Sequence, residues 1–302
     1  MQIILYKKFF FGVINMLDNI KNNIGLVLEG GGFRGIFTAA ILDFFIENNI
    51  KFPYVVGVSS GVVSGASYIS MQKERTKNVI LDYVEDKRYI GFQNLIKERS
   101  YLGIKFGYFD IPFKLNPFNF AEFYKSKSLF KIGLTNCETG KPEYVEGKNY
   151  NKYEIMDVIR ASGSLPFLAP VVNINENPYL DGGISDSIPV KQAVSDGCTK
   201  NVIVLTREKG YKKEPFKFGS LAKIFYKKYP NFIEAMINRH KMYNETIDYI
   251  NQLESDGKAF VIRPENPITM GRLERNKEKL NDLYNQGYNY AKKLYNDLCN
   301  WL

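Results

Sequence analysis

The chain has 302 residues, of which 45% are hydrophobic and 24% charged, a composition typical of a folded protein with one large domain or two modest ones. Lys and Arg outnumber Asp and Glu by 41 to 32, a net charge of +9. However, no zinc-finger spacing, aromatic RNA-binding signature or dense basic block indicates a nucleic-acid partner. A single histidine, His240, and three scattered cysteines exclude a His-rich metal centre and paired-cysteine zinc sites. They also argue against a disulfide scaffold and favour a reducing, cytoplasmic compartment.

The N-terminal segment, residues 1–21, contains a short apolar run, Phe9–Leu17, preceded by Lys7 and Lys8. This resembles the hydrophobic region of a signal peptide, but no small-residue cleavage site follows it. We therefore expect the protein to stay in the cytoplasm and not to be secreted. No stretch of the sequence reaches the ~18 to 20 apolar residues needed to span a bilayer. We predict a helix in this segment, followed by a domain over residues 22–210.

The first part of that domain alternates strands and helices. Ile24–Glu29 is predicted to be a buried strand, Ile36–Phe45 a buried helix and Tyr54–Val58 a second buried strand, with a further helix after Ser59. This succession predicts an α/β fold with a mostly parallel central sheet.

Later segments are less regular. Residues 101–124 are dense in aromatic side chains, and Pro112 and Pro117 prevent a single helix there. Residues 211–302 are predicted to be mainly helical, with one strand at Ala259–Arg263, and to pack on or extend the preceding domain.

A glycine-rich loop connects the first strand to the first helix. Its residues are Gly30, Gly31, Gly32, Phe33, Arg34 and Gly35. The spacing satisfies G-x-G-x-x-G, but the next strand ends in Val58 and Ser59 instead of the acid that a dinucleotide site needs, so a nucleotide-binding enzyme is disfavoured. Two interpretations stay open: a tight turn that needs glycine for steric reasons, or a set of backbone N–H groups that binds an anion, including a transient oxyanion.

A second loop follows the second strand and matches G-x-S-x-G. Gly57 and Gly61 flank Ser59, and the strand-to-helix context is that of a nucleophile elbow. Successive parallel strands open their turns on the same sheet edge. The two loops together therefore predict an acyl-transfer site in which Ser59 is the nucleophile.

Ser59 requires a base, and the sequence offers two candidates. His240 lies in a charged helical stretch, where a surface histidine is the simpler interpretation. Asp181 is followed by Gly182 and Gly183, which would allow a close approach to Ser59, although an ordinary Asp-Gly turn has the same pattern.

Together these motifs resemble the patatin-like phospholipase family, whose pattern is a G-G-G-x-R/K-G loop, a G-x-S-x-G elbow and a D-G-G/A motif. All three occur here in the family's order, and Arg160–Pro166 resembles the family's segment upstream of the aspartate. The resemblance covers roughly residues 22–210. It implies a three-layer α/β/α fold and hydrolysis of fatty acyl esters of lipids, without metal or cofactor. It also implies a Ser59–Asp181 dyad, with oxyanion donors from the Gly31–Phe33 region and Arg34 either bracing the loop or facing a lipid phosphate.

Two alternatives stay beside this interpretation. An α/β-hydrolase would use Ser59, Asp181 and His240 as a triad, in the same chain order. A catalytically silent protein would only bind lipid. For residues 101–124 an acyl tunnel, a lid and plain core are all open. The segment Phe216–Tyr229 is amphipathic and basic, which suits an anionic membrane surface, but we favour packing on the protein's own core.

Overall fold

The computed structural model describes residues 23–302, which form a single eight-stranded sheet with helices on both faces. The spatial order is β5-β6-β3-β2-β1-β7-β8, and β4 pairs with β3 outside this path. In chain order the strands are β1 (Ile24–Leu28), β2 (Tyr54–Val58), β3 (Leu129–Asn136), β4 (Pro142–Glu146), β5 (Val172–Ile174), β6 (Asn177–Asp181), β7 (Lys200–Val204) and β8 (Ala259–Ile262).

The centre of the sheet is parallel and its β5 end is antiparallel. Strands β3, β2, β1, β7 and β8 run parallel to their neighbours, whereas β4 and β6 both pair antiparallel with β3, and β5 with β6. Every residue of β1 and β2 is buried. Continuous apolar runs are what a parallel strand covered on both faces requires.

Ten α-helices complete the described part of the chain. In chain order they are α1 (Ile36–Glu47), α2 (Ser60–Ile69), α3 (Arg75–Tyr83), α4 (Phe92–Glu98), α5 (Phe120–Lys125), α6 (Glu154–Ser162), α7 (Val190–Ser195), α8 (Gly219–Phe225), α9 (Pro230–Ser255) and α10 (Lys277–Trp301).

The helices form a layer on each face of the sheet. Alternate residues of β1 point to opposite faces: Leu26 packs in a core with α1, α2, α6 and α10, and Val27 in a second core with α7 and α9. This arrangement follows from the period of two along a strand, with a helical layer needed to bury each apolar face.

The C-terminal region is built into the same sheet. Strand β8 pairs in parallel with β7, and α10 packs along α1. The two helices approach closely at Gly287, where an added Cβ would lie 2.9 Å from the carbonyl oxygen of Phe37. Nearby, the Tyr284 hydroxyl donates to Asp43 Oδ2 at 2.9 Å.

The predicted fold class, α/β with a mostly parallel central sheet and a helical C-terminal extension, is confirmed. The aromatic segment forms a π-helix, Phe106–Leu115, which contains Pro112. Strand β5 was not predicted, because its alternation of buried and exposed residues extends over only three residues. The helix predicted for residues 1–21 falls outside the described residues.

The prediction that residues 216–229 pack on the core is wrong for the apolar side chains on which it rested. Phe218, Leu221 and Phe225 are 63%, 41% and 65% exposed, and only Ala222 and Tyr226 of this stretch are buried. Within residues 23–302 no helix combines the length and the apolar character that crossing a membrane demands.

Candidate active site

Ser59 occupies the sharp turn between β2 and α2. Its φ of 54° and ψ of −124° lie outside the regions that residues with a side chain normally adopt. Gly61, the second residue of α2, allows this turn to close: a Cβ there would lie 2.6 Å from the carbonyl oxygen of Leu28. Gly57 is the fourth residue of β2 and faces the backbone of Gly61. The turn therefore places Ser59 just beyond the carboxyl end of β2, with its buried hydroxyl pointing away from the ends of the strands.

The backbone of Ser59 is held by a residue that the motif analysis did not single out. The Ser59 N–H donates to Ser162 Oγ at 2.9 Å, and the Ser162 hydroxyl donates in turn to the Gly133 carbonyl at 2.7 Å. Ser162 is the last residue of α6 and is fully buried. This relay fixes the strained turn to the neighbouring strand β3.

Sheet register brings Asp181 level with Ser59. Val58 of β2 pairs with Gly133 of β3, and Leu134, the next residue of β3, pairs with Asp181 at the end of the antiparallel strand β6. The Ser59 hydroxyl donates to Asp181 Oδ2 at 2.7 Å. Two side chains 122 residues apart in the chain thus form one buried pair across β3.

Asp181 is further positioned by its own motif. Its Oδ1 accepts a hydrogen bond from the Gly183 N–H at 2.8 Å, and its backbone N–H donates to the Ser164 carbonyl at 2.9 Å. Gly182 passes so close to β3 that an added Cβ would overlap the carbonyl oxygen of Gly133. Gly182 therefore allows this turn to lie close to β3, and the Gly183 N–H holds the Asp181 carboxylate in one orientation.

Burial raises the pKa of Asp181 above the ordinary range of an aspartate. The Arg239 guanidinium, the hydrogen bonds from Ser59 and Gly183, and the Arg272 guanidinium act in the opposite direction. The result is a carboxylate that accepts a proton more readily than an exposed aspartate.

The glycine loop lies beside Ser59 and uses most of its N–H groups internally. Gly30 donates to the Ser187 carbonyl at 3.2 Å, and Gly31 to Ser60 Oγ at 2.8 Å. Phe33 donates to the Arg272 carbonyl at 2.9 Å. Gly32, with a φ of +60°, has no acceptor for its N–H among residues 23–302.

The end of the loop leads into α1. Gly35 contacts Ser60, and the short 3-10 turn Gly32–Gly35 continues directly into the helix. Arg34 is 5% exposed, and its Nε has no hydrogen-bond partner within the described chain. Burial and the neighbouring Arg207 and Arg272 lower the pKa of Arg34 to about 10.

An apolar cavity of about 110 Å³ opens at Ser59 and is lined by Gly32, Phe33, Arg272 and Leu273 among others. A second cavity of about 100 Å³ continues from it. Both cavities are lined by Val63, Arg75, Val79, Tyr89, Leu102 and Tyr108. The aromatic segment thus contributes Tyr108 to the walls of these two small, adjoining and mostly apolar cavities, which together we call the channel at Ser59.

His240 is not part of the pair. It lies on α9, where its Nδ1 is 2.9 Å from the Ile237 carbonyl oxygen. The Ser59 hydroxyl meets the Asp181 carboxylate directly, so no imidazole stands between them. Within residues 23–302, no group of three His, Cys, Asp or Glu side chains is arranged to hold a metal ion.

Three contacts at this site were missed from the sequence: those of Ser162, Ser60 and Arg272. Ser162 lies in the Arg160–Pro166 segment that resembles the family, but serine at a helix end is common and its partner is 103 residues away. Arg272 lies in a loop with no recognisable motif. Only the folded structure shows that the Arg272 carbonyl accepts a hydrogen bond from the glycine loop.

The comparison with known families decides which group this chain belongs to. The pattern described as patatin-like phospholipase matches residues 26–194, more than half of the chain. The chain belongs to the patatin-like phospholipase family. Residues 229–302 match a domain of unknown function, DUF6363.

Relatives of this patatin-like chain include both bacterial and fungal proteins. The uncharacterized protein YjjU of Escherichia coli is 30% identical over 189 residues, which are 61% of this chain and 52% of YjjU. Lysophospholipase NTE1 of Scheffersomyces stipitis is 23% identical over 312 residues, which are 96% of this chain and 19% of NTE1. The chain therefore spans about half of the one relative and about a fifth of the other. The crystal structure of VipD from Legionella pneumophila has a TM-score of 0.45 at 15% identity, covering 90% of this chain and 66% of that one.

Proposed function

We propose that this patatin-like protein is a lipid acyl hydrolase in which Ser59 is the nucleophile and Asp181 the general base. The observation that carries the proposal is the direct 2.7 Å hydrogen bond from the Ser59 hydroxyl to the Asp181 carboxylate, in a buried site beside an apolar channel. The family membership and the lysophospholipase relatives support the same class of reaction.

In the first step Asp181 accepts the hydroxyl proton while Ser59 Oγ attacks the carbonyl carbon of the ester. The raised pKa of Asp181 narrows the difference in basicity between a carboxylate and an alkoxide, and the fixed orientation of both groups offsets the rest. The tetrahedral intermediate then collapses, and the departing alcohol takes the proton from Asp181. Water attacks the acyl-serine in a second, equivalent cycle.

The oxyanion requires N–H donors that are not already engaged. Gly31 and Phe33 donate within the protein, so we assign the role to Gly32 and to Ser60, the first residue of α2. N–H groups in the first turn of a helix have no intrahelical acceptor and carry the positive end of its dipole. Each well-placed donor contributes about 3 to 4 kcal/mol to the transition state.

For the substrate we propose a glycerolipid that carries one acyl chain. The channel at Ser59 is narrow, with cavities of about 110 and 100 Å³, and its walls are mostly apolar. A single fatty acyl chain fits this shape better than two. The name of the fungal relatives, lysophospholipase, agrees with that substrate class.

The test is hydrolysis of a lysophospholipid and of short acyl esters by four proteins: wild type, Ser59→Ala, Asp181→Asn and His240→Ala. We expect the first two variants to lose at least about 10³-fold in kcat, because groups that act as a unit fail together. His240→Ala is expected to keep full turnover.

Each rival function has its own outcome in this test. Retained hydrolysis in folded Ser59→Ala or Asp181→Asn would contradict the dyad, and loss in His240→Ala would favour the triad. A fluorophosphonate probe that leaves Ser59 unlabelled would favour a protein that binds lipid without reacting.

We further propose that the enzyme docks on a membrane through an apolar rim beside the active site. The rim residues are large and exposed, and they are Phe92 (76%), Ile96 (88%), Phe218 (63%), Leu221 (41%), Ile224 (71%) and Phe225 (65%). Apolar surface of this kind, when contiguous, marks a binding surface.

The two halves of the rim are joined by direct contacts. The Phe92 ring packs on Tyr101 at 5.3 Å, and the Tyr101 N–H donates to the Leu168 carbonyl at 2.6 Å. Phe167, the preceding residue, packs on Phe225 at 5.6 Å. Around α8 stand four lysines, Lys217, Lys223, Lys227 and Lys228. Apolar side chains flanked by lysines suit an anionic bilayer surface, with the enzyme at the cytoplasmic face.

Vesicle co-sedimentation tests this docking. We expect binding to anionic vesicles at low salt, weaker binding at high salt, and a clear loss in the double variant Ile224→Ser, Phe225→Ser. Val194→Ser, which changes an exposed apolar residue on α7, is the matched control and is expected to bind as wild type does. Equal binding by all three proteins would contradict the rim.

A further inference from the structure

A cavity of about 420 Å³ lies next to the Ser59 cavity, and its lining combines apolar side chains with several basic ones. Leu165, Arg272 and Leu273 line both cavities, so they form the wall between the two. We call this second space the basic cavity. Of the cationic residues that line it, Lys213, Arg239 and Arg272 are half-buried and Lys217 is exposed, and His240 also lines this cavity.

None of these three cationic side chains forms a salt bridge within the described chain. The Arg239 guanidinium contacts the Ser187 hydroxyl at 3.2 Å, and the Lys213 ammonium lies 4.1 Å from the centre of the Tyr243 ring. Neither of these partners is an anion. The carboxylates that act on the cations are Asp181 and Glu29 for Arg239 and Glu29 for Lys213, so two carboxylates stand against three cations and the cluster keeps a net positive charge.

Two further cations stand behind the cavity wall. Arg34 is buried with an unpartnered Nε. Arg207, whose Nε is likewise unpartnered, donates through Nη1 to the Ile268 carbonyl at 3.0 Å. Five cationic side chains therefore share one region, although they come from four separate segments of the chain: the glycine loop, residues 207–213, α9 and the loop that contains Arg272.

The two buried carboxylates nearby are already engaged. Glu29 accepts from the Thr206 N–H and from the Tyr243 hydroxyl, at 2.9 Å in the latter case. Asp181 accepts from Ser59 and Gly183. Glu214, which also lines the basic cavity, is exposed.

Burial and the neighbouring positive charges both act on the pKa values of Lys213 and Arg239. Burial first, and then the neighbouring Arg239 and Arg272 charges, lower the pKa of Lys213 to about 6. Burial and Arg272 lower the pKa of Arg239 to about 10. An anion bound among these groups would offset both effects and restore the charge of Lys213.

We propose that the basic cavity is a phosphate-binding site, in which Arg239, Arg272 and Lys213 hold the phosphate oxygens. Guanidinium groups match phosphate geometry through paired N–H donors, and an ammonium adds a third point of contact. The position beside the Ser59 cavity, across the Arg272 wall, is where the phosphate of a glycerolipid would lie while its acyl ester reaches Ser59. This placement rests on the proposed hydrolase function, whereas the phosphate site itself does not.

Two sources of phosphate fit this chemistry, a lipid head group and free phosphate, and substrates distinguish them. The matched pair is a lysophosphatidylcholine and a monoacylglycerol with the same acyl chain, because they differ only in the phosphate-linked head group. For a head-group site we expect Lys213→Met to raise KM for the lysophospholipid about tenfold, the usual magnitude of one charge-assisted contact, and to leave KM for the monoacylglycerol unchanged. Lys212→Met, which alters the exposed neighbour, is the control.

A binding measurement keeps this inference separate from the hydrolase proposal. In the Ser59→Ala protein, calorimetry with glycerol 3-phosphate and with inorganic phosphate, at constant ionic strength, measures the cavity without any reaction. We expect glycerol 3-phosphate to bind, and Lys213→Met or Arg272→Gln to weaken its binding about tenfold.

The outcomes divide as follows. Binding together with the selective KM effect supports a head-group site, and binding of inorganic phosphate without that KM effect supports a site for free phosphate. If neither phosphate compound binds the Ser59→Ala protein, or if Lys212→Met weakens binding as much as Lys213→Met does, the phosphate site is overturned. Loss of hydrolysis by all proteins while binding persists would count against the hydrolase alone.

Discussion

The site residues of the region matched by the patatin-like pattern and the basic residues beside them in the C-terminal region differ in their partners. In residues 26–194 the site groups are matched to one another: Ser59 to Asp181, Asp181 to Gly183, and Ser59 N–H to Ser162. The segment from Arg207 onward instead places Lys213, Arg239 and Arg272 together, and none of the three forms a salt bridge within residues 23–302. A buried group with a partner is held in one geometry, whereas an unpaired cation favours binding an anion.

This contrast indicates that the two regions have different roles, although they are joined by one sheet. The first region carries the residues that we propose perform the chemistry, and the second surrounds them with groups suited to selecting the substrate. The two are not independent, because the Arg272 carbonyl binds the Phe33 N–H and its side chain faces Asp181 closely enough to lower that residue's pKa. The predictions below test how far the division holds.

The largest effect is expected at Gly182. A methyl group there would overlap the Gly133 carbonyl oxygen and lie 2.6 Å from its carbon, both backbone atoms that cannot move freely. Gly182→Ala is expected to abolish hydrolysis and to lower the free energy of unfolding by about 3 kcal/mol. Gly271→Ala, in the C-terminal region with nothing within 4 Å, is the control and should change stability by less than about 0.5 kcal/mol. Urea denaturation measures both, and equal stability of the two variants would contradict the packing argument.

The next effect is on the pH profile. Asp181 must be ionised to accept a proton, so hydrolysis should fall about tenfold per pH unit below its raised pKa, and the midpoint should lie above the ~3.9 of an ordinary aspartate. Arg272 lowers this pKa from the C-terminal side, so Arg272→Gln should move the midpoint to higher pH. The measurement is kcat against pH, with circular dichroism to show that the fold persists. If the midpoint does not move in Arg272→Gln, then the C-terminal region does not influence the pKa of Asp181.

Ser162 is expected to act as a positioning residue. Ser162→Ala leaves the Ser59 N–H without its acceptor, and we expect kcat to fall about tenfold with KM little changed, since about 1.4 kcal/mol corresponds to a factor of ten. Ser164→Ala is the control, because it removes a nearby hydroxyl that donates to the Arg160 carbonyl and does not contact Ser59. A fall in thermal stability without a fall in kcat would mean that Ser162 serves the fold alone.

The smallest effects concern the ties between the regions. The Tyr243 hydroxyl donates to Glu29 and the Tyr284 hydroxyl to Asp43, each at 2.9 Å. Tyr243→Phe and Tyr284→Phe are each expected to cost about 1 kcal/mol of unfolding free energy. Tyr249→Phe, on the same helix as Tyr243, should cost less. A separate early transition in either variant, seen by circular dichroism during urea unfolding, would show that the C-terminal region unfolds alone.

Much of this molecule could be predicted because its motifs are local. The glycine loop and the Ser59 turn are each contiguous in the sequence, and both depend on backbone conformations that need glycine at fixed spacing. The buried strands β1 and β2 are apolar runs bounded by turn residues, so the start of the parallel sheet could be predicted in the same way.

Other features depended on long-range pairing. The residues themselves left both Asp181 and His240 as candidates for the base of Ser59, and only the family resemblance implied Asp181. The structure joins Ser59 to Asp181 through the antiparallel register of β6 against β3. The exposure of Phe225 could not be predicted either. An amphipathic helix shows the same pattern whether its apolar side faces a core or the solvent.

By itself, then, the sequence determined the α/β class, the strained serine turn and the glycine loop, because each is specified by neighbouring residues. The tertiary structure alone decided how the Asp181 carboxylate reaches Ser59 without His240 between them, which N–H groups stay free and where the five cations converge. Those features join segments that lie far apart in the chain, and their distances follow from sheet register and helix packing, which no single segment encodes.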